Sequence, residues 1–381
     1  MSVLPPLNLA GRDRVRLSAL PGPAAALALA ELAAVSERPL VAICSGEQQA
    51  HRLEAELGFF LGGSPLPVLH LPDTEVLPYE SQSPHQEILS ARLAALHRLP
   101  RLTRGVLIVT ADALIQRLPP KAWLEGRTLL LKKGEALEME AFRGRLLAAG
   151  YQPVSEVQMQ GEFAVRGSIL DLFPMGSEQA FRLDLFDREL ESIRVFDPET
   201  QRSEGQVEEI RLLPARDFPT DKAGIELFRR HYREYFPGDP ARSRIYREVS
   251  KGLMPGGIEF YLPLFFEQTA RLDDYLPESR LWVEMADIPR ALAEDWKQTG
   301  DRYERYAGDL ERPLLKPDDL YWTPSLPELA AEVLPAGLEM LAGSGEAMRS
   351  RVKDAGGRIL FVAESAGRRE ALLAWLKPLG R

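Results

Sequence analysis

A single cysteine, Cys44, stands in a chain of 381 residues. One thiol excludes an intrachain disulfide framework and any cysteine-rich zinc site, and it suits a reducing compartment. Long apolar runs are missing too: none approaches the roughly 20 residues that a membrane-spanning helix needs. The opening Met1-Ser2-Val3-Leu4-Pro5-Pro6 has no basic segment leading into an apolar one, so it does not read as a secretion signal. A soluble, cytoplasmic protein with no membrane partner is expected. Positive charge is also short. The 47 Lys and Arg oppose 56 Asp and Glu, for a net charge of −9. A surface of that sign repels phosphate on average, which argues against a dedicated duplex-DNA binder. Histidines are few. His51, His70, His85, His97 and His231 show no ligand spacing, so surface or cap positions are expected for them, and no metal. No Ser/His/Asp grouping can be argued.

What is present is organised. The length suits two or three domains. Through residue 126, strand-like and helix-like segments alternate. Leu40-Val41-Ala42-Ile43-Cys44 and Val106-Leu107-Ile108-Val109 are wholly apolar, the pattern of strands buried on both faces. Between them Ala50, Leu53 and Leu57 mark one face of a helix. Ser83-Pro84-His85-Gln86 reads as a helix start with Ser83 as cap, followed by the stripe Ile88, Leu89, Leu93 and Leu96. Asp112 is expected to cap a helix ending before Pro119-Pro120. Strands alternating with helices imply a parallel sheet covered on both faces.

From about Arg127 the period changes. A helix near Leu137 to Ala149 should end on Gly150 in a left-handed conformation. Short alternating runs follow: Phe163/Val165, Ile169/Asp171/Phe173, Phe181/Leu183/Leu185 and Ile193/Val195. These predict antiparallel strands with one wet face. The expected layout is a first α/β part at 1–126, an inserted small α+β domain at 127–211, and the rest of the first domain at 212–312. That last part contains the strand Leu281-Trp282-Val283. A proline-spaced linker is expected at 313–345. At 346–381 one strand, Ile359-Leu360-Phe361-Val362, and one helix start a further α/β unit, which cannot bury its apolar faces alone. The chain is therefore expected to be part of something longer.

The segment Gly161-Glu162-Phe163-Ala164-Val165-Arg166-Gly167-Ser168-Ile169-Leu170-Asp171-Leu172-Phe173-Pro174 resembles the core of the UvrA-binding domain of UvrB. Arg182-Leu183-Asp184-Leu185-Phe186-Asp187 and Arg194-Val195-Phe196-Asp197-Pro198 continue the likeness, and Gly257-Ile258-Glu259-Phe260-Tyr261 resembles another UvrB segment. Leu77-Pro78-Tyr79-Glu80-Ser81, Asp171-Leu172-Phe173-Pro174-Met175-Gly176-Ser177 and Phe218-Pro219-Thr220-Asp221-Lys222 resemble instead the bacterial transcription-repair coupling factors, a family related to UvrB. The likeness covers roughly residues 10 to 330 and, more weakly, the tail. It implies an α/β fold: a degenerate P-loop (RecA/helicase-like) parallel-sheet domain carrying an inserted α+β domain of the UvrA-binding type.

The resemblance also implies what is missing. A working phosphate loop needs glycine amides, a lysine for the β/γ oxygens and a hydroxyl for magnesium. No Gly-Lys pair occurs in the chain. Alignment on Arg38-Pro39 lays Pro21-Gly22-Pro23-Ala24-Ala25-Ala26 over that loop. Gly22 keeps one glycine, Ala25 takes the lysine position and Ala26 the hydroxyl position. The acidic pair that holds magnesium and orients water becomes Glu284-Met285. Glu284 could still meet a metal, but Met285 cannot orient water. No cofactor and no catalysis are expected here; ATP and magnesium would belong to a motor half elsewhere in the parent. UvrB also threads DNA behind a long aromatic hairpin, and between Leu71 and Ser83 there is no room for one. Tyr79 alone is no stacking platform.

What remains is binding. Arg166 and Arg182 match arginines with which this domain type grips UvrA, and Phe186 follows on the same strand. Arg182, Asp184 and Phe186 should share the wet face while Leu183 and Leu185 enter the core. An aromatic ring beside guanidinium groups has the makings of an interface anchor. The opposing reading pairs Arg182 with Asp184 or a neighbouring strand and packs Phe186 under a loop. The resemblance favours a UvrA-recruiting, non-enzymatic module of an ATP-driven translocase that displaces stalled RNA polymerase. Polymerase and DNA would be met mainly through other parts of the parent. A carboxy-terminal domain of the parent is expected to cover the patch at rest. The competing reading is a DNA-handling helicase or repair-enzyme subunit.

Overall fold

The computed structural model describes residues 13–17, 20, 23–323, 326, 331–333, 350, 352–354, 361, 363 and 365–379. Its first layer is a parallel sheet. In chain order, β1 (Arg14–Leu17) leads to α1 (Ala24–Val35), β2 (Leu40–Cys44) to α2 (Glu47–Phe60), and β3 (Val68–Leu71) to α3 (Gln86–Arg98) and β4 (Val106–Thr110). After β4 come α4 (Lys121–Arg127), β5 (Leu129–Lys132) and α5 (Met139–Ala148).

A run of strands follows: β6 (Gln152–Pro153), β7 (Glu162–Arg166), β8 (Ile169–Leu172), β9 (Ala180–Phe186), β10 (Glu189–Phe196), β11 (Ser203–Val207) and β12 (Glu209–Leu212). Then α6 (Lys222–Tyr235), α7 (Arg244–Ser250), β13 (Leu281–Glu284), α8 (Ile288–Tyr306), α9 (Pro317–Leu320) and β14 (Ala331–Val333) complete the elements used below.

The parallel sheet has the order β14-β1-β13-β2-β4-β3. Its central strands are apolar on both faces because both faces are covered. Leu40, Ala42 and Cys44 of β2 pack with α1 and α2, while Val41 and Ile43 join α3 in the other core. The second sheet, β11-β10-β9-β8-β7-β6, is antiparallel apart from the short β6–β7 pair. Phe163, Leu170, Leu172, Phe181, Leu183, Leu185, Leu190 and Ile193 are buried in the same core as α3. The alternation in the sequence is the imprint of that one packed face. Helix α5 ends as expected, with Gly150 at φ +87°.

Several local expectations are corrected. Ser83 does not cap α3: His85 precedes its first turn without a side-chain cap, and Ser83 Oγ donates to Glu259 at 2.7 Å. Asp112 heads a 3-10 turn, Asp112–Leu114, rather than a helix. Residues 314, 315 and 320, at the head of the proline-spaced tract, are buried leucines in an aromatic core with Tyr79, Phe218, Phe228, Tyr232 and Phe265. The expected strand at 359–362 lies largely outside the described residues.

Two of the sequence blocks singled out above are clasped together. Tyr79 is buried and its hydroxyl donates to Leu315 O at 3.0 Å. Arg302 Nε donates to Pro78 O at 2.6 Å, and Arg312 donates to the carbonyls of Tyr79 and Glu80. Gly257 sits at φ +75°, and a Cβ there would collide with Glu80 O, so only glycine permits this approach. The neighbouring Glu259 receives both Ser83 and, at 3.1 Å, Arg216.

Candidate functional site

Strand register decides what the second sheet presents. In β9, Phe181, Leu183 and Leu185 face the core, so Arg182, Asp184 and Phe186 face the other way. Ile169 of β8 lies opposite Asp184, and Arg166 of β7 lies opposite Ile169. Arg166, Arg182 and Phe186 therefore share one face. One end of that face is roofed: Ala164, Phe173, Ala180 and Phe196 pack beneath Val157 and Val154. The other end, at the β9–β10 hairpin, is open, and Phe186 there is 74% exposed. Asp187 makes the hairpin turn at φ +56°.

The three residues differ in freedom. Phe186 projects into solvent from a tight turn. Arg166 is exposed and makes one bond, from Nη2 to Ser155 O at 2.6 Å on the roofing loop. Arg182 is engaged: its Nε and Nη2 grip the two carboxylate oxygens of Asp171 at 2.7 and 2.9 Å, and its guanidinium stacks over Phe196 at 5.1 Å. Asp171 is buried at 2% exposure, whereas 18% of the Arg182 side chain is exposed. Its hydrogen bond to Asp171 raises the guanidinium pKa further above its ordinary value. The expectation that Arg182 stands wholly on the solvent face is thus corrected: Nε and Nη2 hold a buried carboxylate, and Nη1 donates to Gln201 O at 3.4 Å. Asp184 pairs with Arg194 at 3.0 Å, so of the opposing reading's two pairings for Arg182 the one with Asp184 does not occur, while the one with a neighbouring strand does, through Asp171 of β8. Neither Asp171 nor Arg194 stood out in the sequence, because each is defined by cross-strand register.

The place that the resemblance assigns to a nucleotide lies where β1 turns into α1, beside the end of β13. Gly22 falls outside the described residues. Ala25 and Ala26 lie in the first turn of α1, Ala26 fully buried. Ala25, Leu17, Leu53, Gln49 and Met285 line a cavity of about 260 Å³ there. Gln49 Nε2 donates to Met285 O at 3.0 Å, across the cavity floor. Glu284 is fully buried, and its carboxylate is shared by two arginines of β1. Arg14 Nε reaches Oε1 at 2.7 Å and Arg16 Nε reaches Oε2 at 2.6 Å. The expectation that Glu284 could still meet a metal is corrected: both of its oxygens are engaged by guanidinium groups. Among the described residues no helix is long and apolar enough to cross a membrane.

Comparison with known proteins follows this division. The family model described as UvrB interaction domain matches residues 129–218, which contain β5 through β12. A second, described as MFD, D3 domain, matches residues 352–380. The chain is 41% identical to the transcription-repair-coupling factor of Escherichia coli (strain K12), over 95% of this chain and 34% of that protein. It is 40% identical to that of Haemophilus influenzae, over 94% of this chain and 33% of that protein. With the transcription-repair-coupling factor of Myxococcus xanthus it shares 34% identity over 71% of this chain. The chain spans about a third of the length of the first two relatives.

Proposed function

We propose, from the premise that this chain is a relative of the transcription-repair-coupling factors over nearly its whole length, that it is their UvrA-recruiting, non-catalytic module. Its binding surface is the open end of the second sheet's outer face, with Phe186 as the anchor and Arg166 and the partly exposed Arg182 guanidinium beside it. The observation that carries this reading is a large aromatic side chain at 74% exposure within the segment matched by the UvrB interaction domain. Exposure alone would not single out Phe186, since Phe59 is exposed at 70%; its place beside Arg166 on the open end of the matched domain does.

The parallel-sheet domain is, in this reading, the remnant of a P-loop ATPase of the RecA/helicase type. Three features support it. Strand β1 is followed by helix α1, the order of elements that flank a phosphate loop, with Ala25 and Ala26 where the resemblance puts lysine and hydroxyl. Met285 replaces a water-orienting acid. Glu284 is occupied by Arg14 and Arg16. The whole parent would be an ATP-driven translocase that displaces stalled RNA polymerase and hands the lesion to excision repair, and its carboxy-terminal part would cover Phe186 at rest. The alternative, a DNA-handling enzyme subunit, is disfavoured by a net charge of −9.

Two titrations test the reading. The purified chain should form a saturable complex with purified UvrA in calorimetry, and it should give no heat with ATP and magnesium. Failure to bind UvrA would remove the recruitment role. Phosphate release that survives repurification would remove the claim of a silent ATPase site.

A further inference from the structure

At the carboxyl edge of the parallel sheet, on the face of α2 opposite the one that Gln49 and Leu53 turn to the cavity above, the fold gathers residues that look unrelated in sequence. Glu47 and His51 stand one turn apart on α2, and Glu54 continues the same face. Strand β3 brings His70 against them. His51 Nε2 and His70 Nε2 each lie 3.2 Å from one and the same atom, Glu47 Oε1. The two rings stand nearly perpendicular, at 87° and 5.2 Å between centroids. We propose that Glu47, His51 and His70 form a divalent transition-metal site, of the zinc class, that clamps α2 to β3.

Geometry and chemistry both support this. All three donor atoms fall within 4.8 Å of one another. Tetrahedral zinc with bonds near 2.0–2.1 Å sets neighbouring donors about 3.3 Å apart. Glu47 Oε1 and His70 Nε2 are buried, yet neither makes a hydrogen bond, although they face each other at 3.2 Å. Their contact is an ion pair without well-aligned hydrogen-bond geometry, and an ion seated between them would satisfy both atoms.

The surroundings are those of a built site. The second oxygen of Glu47 accepts the Asp73 amide at 3.0 Å, which fixes the carboxylate with Oε1 turned inward. His70 Nδ1 lies 3.0 Å from Glu54 Oε2. A proton shared there places the Nε2 lone pair toward the metal, the carboxylate–histidine arrangement that orients metal-bound imidazoles. Glu54 is thus a positioning residue. Only 8% of the His70 side chain is exposed, against 60% of that of His51, so an ion enters from the His51 side and keeps a fourth position open to water. Two imidazoles with one carboxylate favour zinc, cobalt or nickel over magnesium or calcium.

The test is a titration of the chelator-treated chain with Zn²⁺, Co²⁺ and, as control, Mg²⁺. One Zn²⁺ per chain should bind and raise the melting temperature, Co²⁺ should give the visible absorption of a low-coordinate nitrogen-oxygen site, and Mg²⁺ should do neither. His51→Ala, at an exposed position, should weaken Zn²⁺ binding at least about tenfold while the metal-free melting curve stays in place. Glu54→Gln should cost about tenfold to a hundredfold. His85→Gln, at an exposed histidine outside the group, should change nothing. The proposal is overturned if Zn²⁺ binds no better than Mg²⁺, or if His51→Ala and His70→Gln both bind Zn²⁺ like the parent chain.

Discussion

Replacing Phe186 by alanine should weaken the UvrA complex by about 2 kcal/mol or more, roughly thirtyfold, and leave the melting curve unchanged. A side chain exposed at 74% makes few contacts to lose on truncation, so its removal tests binding alone. Arg166→Ala should behave alike, since its single bond to Ser155 O is exposed. Arg182→Ala should not. It would strip both hydrogen bonds from a carboxylate that is 2% exposed, and breaking a buried pair from one side costs about 3–5 kcal/mol. The low end of that range applies, because Arg182 itself keeps some contact with water. Weakened UvrA binding by Arg182→Ala would therefore report unfolding as much as recognition. Arg182→Lys separates the two effects, since it keeps the charge and loses the two-pronged grip. Urea unfolding beside UvrA titration of each variant decides the matter. Native UvrA affinity in a well-folded Phe186→Ala, Arg166→Ala double variant would refute this face as the interface.

That difference between Phe186 and Arg182 marks the limit of what the sequence revealed. Period-two alternation in β9 sorted its side chains correctly onto two faces, because a pleated strand leaves no other choice. The apolar runs at β2, β4 and β13 announced buried parallel strands, and Gly150 announced a helix end. None of this required knowing which strand lies beside which. The partners of Arg182, Ser83 and Glu284 did require it. Asp171 meets Arg182 only through the β8–β9 register. Ser83, placed like a cap, found Glu259 across the fold instead. Asp112 had the local look of a cap but lies half-buried, and desolvation, with the Asp73 carboxyl beside it, pushes its own carboxyl well above the ordinary range. His51 and His70 seemed isolated because ligand spacing was sought along one segment, whereas a helix and a strand bring them together. Local pattern carried the scaffold, and long-range pairing carried the sites.

Glu284→Ala should destabilise the chain by about 3–5 kcal/mol, the cost of removing one side of a buried ion pair. Glu284 is fully buried, and its carboxylate lies between Arg14 and Arg16 on the adjacent strand. In the parallel register Arg16 is the Cα partner of Glu284 and Arg14 that of Trp282, so both guanidinium groups converge on one acid. Without it, two like charges would be held side by side against a low-dielectric core, where their repulsion is poorly screened. Glu284→Gln should cost less, since its carbonyl oxygen still accepts a hydrogen bond. Joint replacement of Arg14, Arg16 and Glu284 by apolar residues of similar volume should recover most of the loss, because a buried ionic group and a well-packed apolar one are often equivalent in stability. The measurement is denaturant unfolding of the single, conservative and triple variants. A loss below about 1 kcal/mol for Glu284→Ala would mean that the carboxylate is not held as described. It would then be open to a metal, and the argument for a silent nucleotide site would rest on Ala25, Ala26 and Met285 alone.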